Sequence, residues 1–303
     1  VPAPTAPEPV LRPEPVPTDT PRTKFDIAAW QIALERRHFS CGTIEGDFGK
    51  RSRRAVLAYQ RNQRLPLTGE LDVETRLRLG KPGLPFTEQV ITAQDMALVS
   101  PTPDSWRAKA TVPLLGYNDA WEMAAEKFHT IPSFLRELNP GLTDITEGTV
   151  LLAPNLGPSI PFPKVGSIEI VLSETTLYVY DTQNRLVAVF PCSIAANKNK
   201  RPDGELRVAN IAPNPNYTFN PAVLVEQAAA EGITNRMILP PGPNNPVGMA
   251  WIGLSLPGYG IHGTPDPSAI SRTGSLGCFR LANWNAVKLV HNVKPGIPVR
   301  ITE

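Results

Sequence analysis

Charge of one sign is what this sequence most conspicuously lacks: 30 Lys and Arg stand against 28 Asp and Glu over 303 residues, a net charge of +2. So even a balance offers no basic footprint for a nucleic-acid backbone and no polybasic membrane anchor. Long apolar runs are missing as well. The nearest, Leu186 to Ala196, is interrupted by Pro191 and falls short of the roughly 18 apolar residues of a membrane-spanning helix. Cysteine is scarce: Cys41, Cys192 and Cys278 lie far apart and form no C-x-x-C pair, which argues against a zinc or disulfide framework. The four histidines, His38, His129, His262 and His291, show no H-x-x-E or H-E-x-x-H spacing, so a zinc hydrolase is not supported. No S-x-x-K occurs either, which removes one serine acyl-transfer mechanism. No metal and no cofactor are expected.

What is abundant is proline, 34 residues, about twice the usual share of roughly 5%. Eight of these lie in Val1 to Pro21, among few large apolar side chains and without periodicity. That stretch, 1–23, reads as an extended tether. The chain opens on Val without a charged-then-apolar leader; the expectation is a mature exported form whose signal peptide has been removed, or an expressed fragment. Beyond the tether, a hydrophobic content of 41% suffices for two or three domains with cores of their own.

Residues 24–81 carry three helical patterns: Ile27, Trp30, Ile32 and Leu34; then Ala55, Val56, Tyr59 and Gln60; then Val73, Leu77 and Leu79. A glycine-punctuated turn, Gly42 to Gly49, separates the first two. Gln31 and Leu34, the turn G-x-I-x-G-x-F-G, Ala55-Val56 with Tyr59-Gln60, and Leu67-Thr68-Gly69 with Leu71-Asp72 and Thr75 together resemble the peptidoglycan-binding domain of bacterial wall enzymes. Residues 82–112 read as a connector with a strand near Val90-Ile91 and a short helix near Trp106. Residues 113–157 resemble a degenerate LysM domain, a small α+β sugar-binding unit: Tyr117, the run Met123 to Phe128, the helix Ile131 to Leu138, Asn139-Pro140, and Gly148 to Pro154 carry the likeness. The usual G-D-T-L is replaced by Asn118-Asp119-Ala120-Trp121, so a structural spacer is an equal alternative.

From 166 to 303 apolar residues alternate, as in Ile168, Ile170 and Leu172, or Leu177 and Val179. Only Asn285 to Val293 has clear helical spacing, with Asn283 as its expected cap. The expected fold is therefore multidomain, with a β-dominated, sandwich-like final domain containing one or two helices. Pro213 to Pro246 reads as an irregular insertion.

One constellation carries chemistry. Tyr259-Gly260-Ile261-His262-Gly263-Thr264 is followed, after a polar loop, by Ser275-Leu276-Gly277-Cys278-Phe279-Arg280-Leu281. A nucleophilic cysteine needs a base and donors for an oxyanion. His262 is the candidate base and Cys278 the candidate nucleophile, with backbone N–H groups at Gly277, Cys278 and Gly263 for the oxyanion. Arg280 suits a substrate carboxylate and favours a thiolate. Ser275, Trp251, Tyr259 and Asn283 are further candidates for the substrate cleft. Cys192 and Cys41 read as packed, inert thiols.

His262-Gly263-Thr264, Ser275, Gly277-Cys278, Arg280-Leu281 and Asn283 resemble the motif of the L,D-transpeptidases with a YkuD-type catalytic domain. Pro202-Asp203-Gly204 and Gly242 to Pro246 with Trp251-Ile252 extend the likeness over 166–303. Leu276 replaces the family's second histidine, with a weaker thiolate as the expected consequence, and Arg201 replaces a threonine. The resemblance implies attack of Cys278 on a tetrapeptide stem, release of D-alanine, a thioester, and transfer to an amine, with His262 moving the proton. It also implies export to the periplasm or wall and peptidoglycan as partner; a tethered monomer is the simplest expectation. An L,D-carboxypeptidase using water, and a non-catalytic wall-binding protein, are the alternatives.

Overall fold

A computed structural model describes residues 23–80, 83–158, 160–272, 274–275 and 277–303. The proline-rich stretch expected as a tether, apart from Thr23, and Leu276 lie outside the described residues.

The first domain is three helices: α1 (Lys24–Glu35), α2 (Lys50–Gln63) and α3 (Val73–Leu79). Thr23 opens α1 with a capping box, accepting from Asp26 N while its own N–H donates to the Asp26 carboxylate. Ile32, Leu34, Ala55, Val56 and Tyr59 fill the core. Two motif glutamines hold the turns. Gln31 donates to Asp47 O and Ser52 Oγ and accepts from Glu45 N and Gly46 N. Gln60 donates to Thr68 Oγ1 and Thr75 Oγ1 and accepts from Gly69 N. Their sequence signature is thus explained by buried polar groups that must be paired.

The second domain contains β1 (Phe86–Val90), α4 (Ala93–Met96), α5 (Trp106–Lys109), α6 (Ala120–Lys127), α7 (Pro132–Leu138) and β2 (Val150–Pro154). β1 and β2 pair antiparallel, Phe86 opposite Pro154 and Val90 opposite Val150. The strand partner of β2 therefore comes from inside the stretch expected to be a connector. Residues 113–119 contribute only the single bridge of Tyr117 to Val99. β1 is the strand expected near Val90-Ile91, and α5 the short helix expected near Trp106; what the sequence did not show is that β1 is the partner of β2. Tyr117, Met123, Ala124, Phe128, Leu135 and Leu151 form that core.

The third domain runs through β3 (Val165–Val171), β4 (Thr176–Asp181), β5 (Leu186–Pro191), β6 (Gly204–Pro213), β7 (Tyr217–Phe219), α8 (Val225–Glu231), β8 (Met237–Leu239), β9 (Ala250–Leu254), β10 (Gly260–His262), β11 (Phe279–Arg280), α9 (Asn283–Val290) and β12 (Pro298–Thr302). Eight strands form one sheet in the order β11-β10-β9-β6-β12-β3-β4-β5. The long β6 pairs with β12 through its first half and with β9 through its second. A register shift between Val208 and Asn210 bends it there, and the sheet curls at that point. The insertion at 213–246 is more regular than its prolines suggest. β7 and β8 pair around α8, and Trp106 from α5 packs on Phe219 at 4.8 Å between ring centroids.

The domains are packed together. Val189 of β5 exchanges backbone hydrogen bonds with His38 and Ser40, so the helical domain covers an open sheet edge. α9 makes the central junction. Glu35 of α1, 3% exposed at its side chain, accepts at 3.1 Å from both His129 Nδ1 and Lys288 Nζ. Trp284 stacks on His129 at 4.8 Å, and Asn285 Nδ2 donates to Ser40 Oγ. Burial would push the Glu35 carboxyl up, but the Lys288 ammonium and the His129 hydrogen bond hold it well below the usual carboxylate range.

Candidate active site

β10 and β11 run parallel, Ile261 opposite Phe279 and His262 opposite Arg280. Because side chains alternate across a strand, Ile261 and Phe279 enter the core, at 0% and 1% exposure, while the paired His262 and Arg280 share the other face, and Cys278 stands in the bend that leads into β11. The register thus joins the two halves of the motif across the loop that separates them in sequence.

His262 Nδ1 lies 2.6 Å from Gly263 O. A carbonyl only accepts, so Nδ1 carries the proton and Nε2 keeps its lone pair. Trp251, opposite His262 in the pairing of β9 with β10, stacks on the imidazole at 5.7 Å and 21°. Burial pushes the His262 pKa down to about 4; the Gly263 bond opposes this and the Arg280 charge adds to it. The ring is therefore neutral and basic at Nε2 near neutral pH.

Cys278 is half-buried, whereas Cys41 and Cys192 are buried. Its Sγ donates to Gly258 O at 3.6 Å. Burial raises its pKa and a hydrogen bond from the Gly260 backbone partly offsets this. Burial pushes Cys41 up to about 12 and Cys192 up as well, so neither competes as a nucleophile. The resting site pairs a neutral thiol with a neutral imidazole.

Several expected roles change. Gly263 N donates to Ala250 O in the sheet, and Gly277 N donates to Ser275 Oγ at 3.2 Å; both N–H groups are committed, which leaves the Cys278 N–H as the oxyanion candidate. Ser275 Oγ in turn donates to Cys278 O at 2.5 Å, so this side chain shapes the turn instead of facing substrate. Arg280 Nη2 donates to Gly274 O at 2.9 Å and clamps the same loop. Asn283 is 1% exposed, is the first residue of α9 and not its cap, and spends its amide on structure; it does not line a substrate cleft. Tyr259 stands beside Gly277, where an added Cβ would lie 3.4 Å from its ring.

Sequence reasoning missed Tyr217. Its pKa is raised by burial and by the charge Cys278 would carry, so a residue of the insertion lies within electrostatic range of the thiol. No motif marks it, since it sits in a proline-rich stretch without periodicity. A cavity of about 400 Å³ lies elsewhere, between the start of α2 and the loops at Ser173, Thr175 and Arg272, and contains neither Cys278 nor His262. Among the described residues no cluster of His, Cys, Asp and Glu could hold a metal, and no helix is long and apolar enough to cross a membrane.

Residues 166–301 match the YkuD family, the L,D-transpeptidase catalytic domain. The third domain belongs to that family. Residues 25–79 match a second family, described as "Putative peptidoglycan binding domain". The chain is 29% identical over 185 residues to "Putative L,D-transpeptidase YkuD" of Bacillus licheniformis, covering 60% of this chain and 92% of that protein. It is 30% identical over 186 residues to "Probable L,D-transpeptidase YcfS" of Escherichia coli, covering 59% and 58%. A solved L,D-transpeptidase from Xylanimonas cellulosilytica aligns over 97% of this chain and 100% of that one at 15% identity and a TM-score of 0.39, too loose a likeness to carry an argument. The catalytic-domain match thus covers the third domain, and the first domain is similar to a peptidoglycan-binding domain.

Proposed function

We propose that the protein is an exported peptidoglycan L,D-transpeptidase that uses Cys278 as nucleophile and His262 as base. The observation that supports this reading best is the parallel register of β10 and β11, which pairs His262 with Arg280, two residues after Cys278, while the Gly263 carbonyl holds the imidazole proton on Nδ1 and leaves Nε2 as the acceptor. The Cys278 thiol proton passes to His262 Nε2 as sulfur attacks the carbonyl of the third residue of a tetrapeptide stem. The oxyanion takes the Cys278 N–H. Collapse breaks the peptide bond, and His262 returns the proton to the departing amine of D-alanine, leaving a thioester on Cys278. An acceptor amine from a second stem then attacks the thioester; His262 takes its proton and delivers it to the released thiolate.

Such a resting pair, neutral on both sides, requires substrate to displace water and align the thiol before transfer. Trp251 and Tyr259 flank the two reacting groups and form the walls of the substrate cleft. The helical domain keeps wall polymer near the site, an effect of local concentration that needs no contact with the reacting atoms. The second domain has a LysM-like arrangement of two helices and a strand pair.

Purified protein incubated with a disaccharide-tetrapeptide, with products read by mass, tests the proposal. Tetrapeptide dimers support transfer, and free tripeptide assigns hydrolysis instead. No product that depends on Cys278 would leave a wall-binding protein. Acylation of Cys278 by a carbapenem gives a second readout of the same thiol.

A further inference from the structure

Asn283 joins three loops of the catalytic domain to a carboxylate of another domain. Its Oδ1 accepts from Met249 N and from Thr264 N, each at 3.1 Å. Its Nδ2 donates to Pro243 O at 3.1 Å and to Glu126 Oε1 at 2.8 Å. All four hydrogen-bonding positions of the amide are filled. Met249 precedes β9, which carries Trp251, and Thr264 follows His262 by two residues, so the amide ties together the two backbone segments that hold the imidazole. The fit is close: a Cβ on Gly248 or Gly263 would stand 2.0 or 2.1 Å from Asn283 Oδ1.

Glu126 lies on α6 of the second domain and is 7% exposed. The phenol of Tyr117 donates to the same Oε1 at 3.2 Å. The second domain also holds the Pro243 loop: Leu115 N donates to Pro241 O, Asn244 N donates to Leu115 O, and Asn244 Nδ2 donates to Gly116 O at 2.9 Å. A side-chain amide can be turned over at little intrinsic cost, exchanging its donor and acceptor ends. With acceptors at Glu126 and Pro243 on one side, the NH2 end must face them and the oxygen must face Met249 and Thr264.

We propose that Glu126 is a positioning residue for His262: from the second domain it fixes the orientation of the Asn283 amide, which in turn fixes the backbone on both sides of the imidazole. The second domain is by this account part of the catalytic centre. Catalytic consequences rest on the roles proposed above for His262 and Cys278. The titratable groups facing Glu126 are Tyr117, from the segment before α6, and Glu122, one turn back on α6; α9 presents the Asn283 amide. Burial pushes Glu126 up to about 7, against the pull of the Asn283 and Tyr117 hydrogen bonds, which suits a group that acts as an acceptor and not as a paired charge.

The test compares the full chain with Glu126→Ala, Glu126→Gln and Glu126→Asp. Two quantities are read: the limiting rate of Cys278 acylation at saturating carbapenem, and amide hydrogen exchange at Met249 and Thr264. Glu126→Ala is expected to slow acylation about ten-fold without changing the half-saturating concentration, and to speed exchange at both amides about ten-fold. Glu126→Gln keeps an acceptor oxygen and is expected to stay within about three-fold on both readouts. Wild-type rates and exchange in folded Glu126→Ala, or a folded Glu126→Gln as impaired as Glu126→Ala, overturn the proposal. Should Glu126→Ala fail to fold, the pair of Gln and Asp decides: Asp, one methylene short of Asn283, is expected to behave as Ala was, and Asp indistinguishable from wild type overturns the positioning role. If wild type forms no adduct at Cys278, the proposed function fails, while the exchange data still judge the positioning role.

Discussion

The turn that carries Cys278 and the helix that follows it are neighbours in the chain and are held in opposite ways. Around the turn, backbone and side chains of one domain do the holding: Ser275 bonds Gly277 N and Cys278 O, Arg280 bonds Gly274 O, and His262 bonds its neighbour's carbonyl. In α9, by contrast, polar side chains reach into other domains: Asn283 to Glu126, Asn285 to Ser40, and Lys288 to Glu35. The thiol and the imidazole Nε2 keep chemical capacity for a substrate, and rigidity comes from the adjoining helix. A site that must stay reactive gains its order from a region that need not.

Substitutions should separate the two regions. The largest effect belongs to the turn: Cys278→Ala should lower turnover by roughly 10⁴-fold or more, with little change in Tm, because the thiol's contact with Gly258 O is long, at 3.6 Å. His262→Asn should cost about 10²–10⁴-fold in acylation of Cys278, the usual range for a general base. In the junction the order reverses. Lys288→Met leaves the buried Glu35 carboxylate without its permanent cation, held by His129 and Ser40, and should cost about 2–4 kcal/mol of stability in denaturant titration, while protein that remains folded acylates near the wild-type rate. A Lys288→Met protein of unchanged stability would erase the contrast.

Acidity gives a finer comparison. With the His262 pKa pushed down to about 4, the acid limb of kcat/KM should fall near pH 4, well below the ordinary histidine range of about 6.5. Glu35 is held below its unfolded value, so the junction contributes stability above the ordinary carboxylate range that is lost as pH falls through the lower folded value. Activity and Tm should thus both decline in acid, for reasons that Lys288→Met separates: it should shift the Tm profile and leave the acid limb in place. The smallest effect should come from deleting Val1 to Pro21, which is expected to leave turnover of soluble substrate unchanged.

Much of this was legible in the chain itself. The alternation of Ile168, Ile170, Leu177 and Val179 announced the sheet, because it depends on neighbours close in sequence, and the segments singled out around His262 and Cys278 contain the adjacent strands β10 and β11. What escaped notice depends on distant partners. A strand near Val90 was expected, but not its pairing with β2, which crosses the whole second domain. Tyr217 comes within electrostatic range of the thiol from an insertion without periodicity. Asn283 read as a helix cap and a cleft residue, since nothing near it in sequence shows the carboxylate of Glu126 on its other side. Ser275 and the N–H groups of Gly263 and Gly277 were misassigned because their internal hydrogen bonds depend on backbone geometry that a motif does not encode.

The account's central claim is that Cys278, and neither of the buried thiols, carries the acyl group. Its most direct measurement is to quench the protein in acid during turnover of a disaccharide-tetrapeptide and map the adduct by peptide mass. A tripeptide-stem thioester on the peptide containing Cys278, absent from Cys278→Ala, is the expected result. An adduct on Cys41 or Cys192, or turnover that survives in Cys278→Ala, would contradict it.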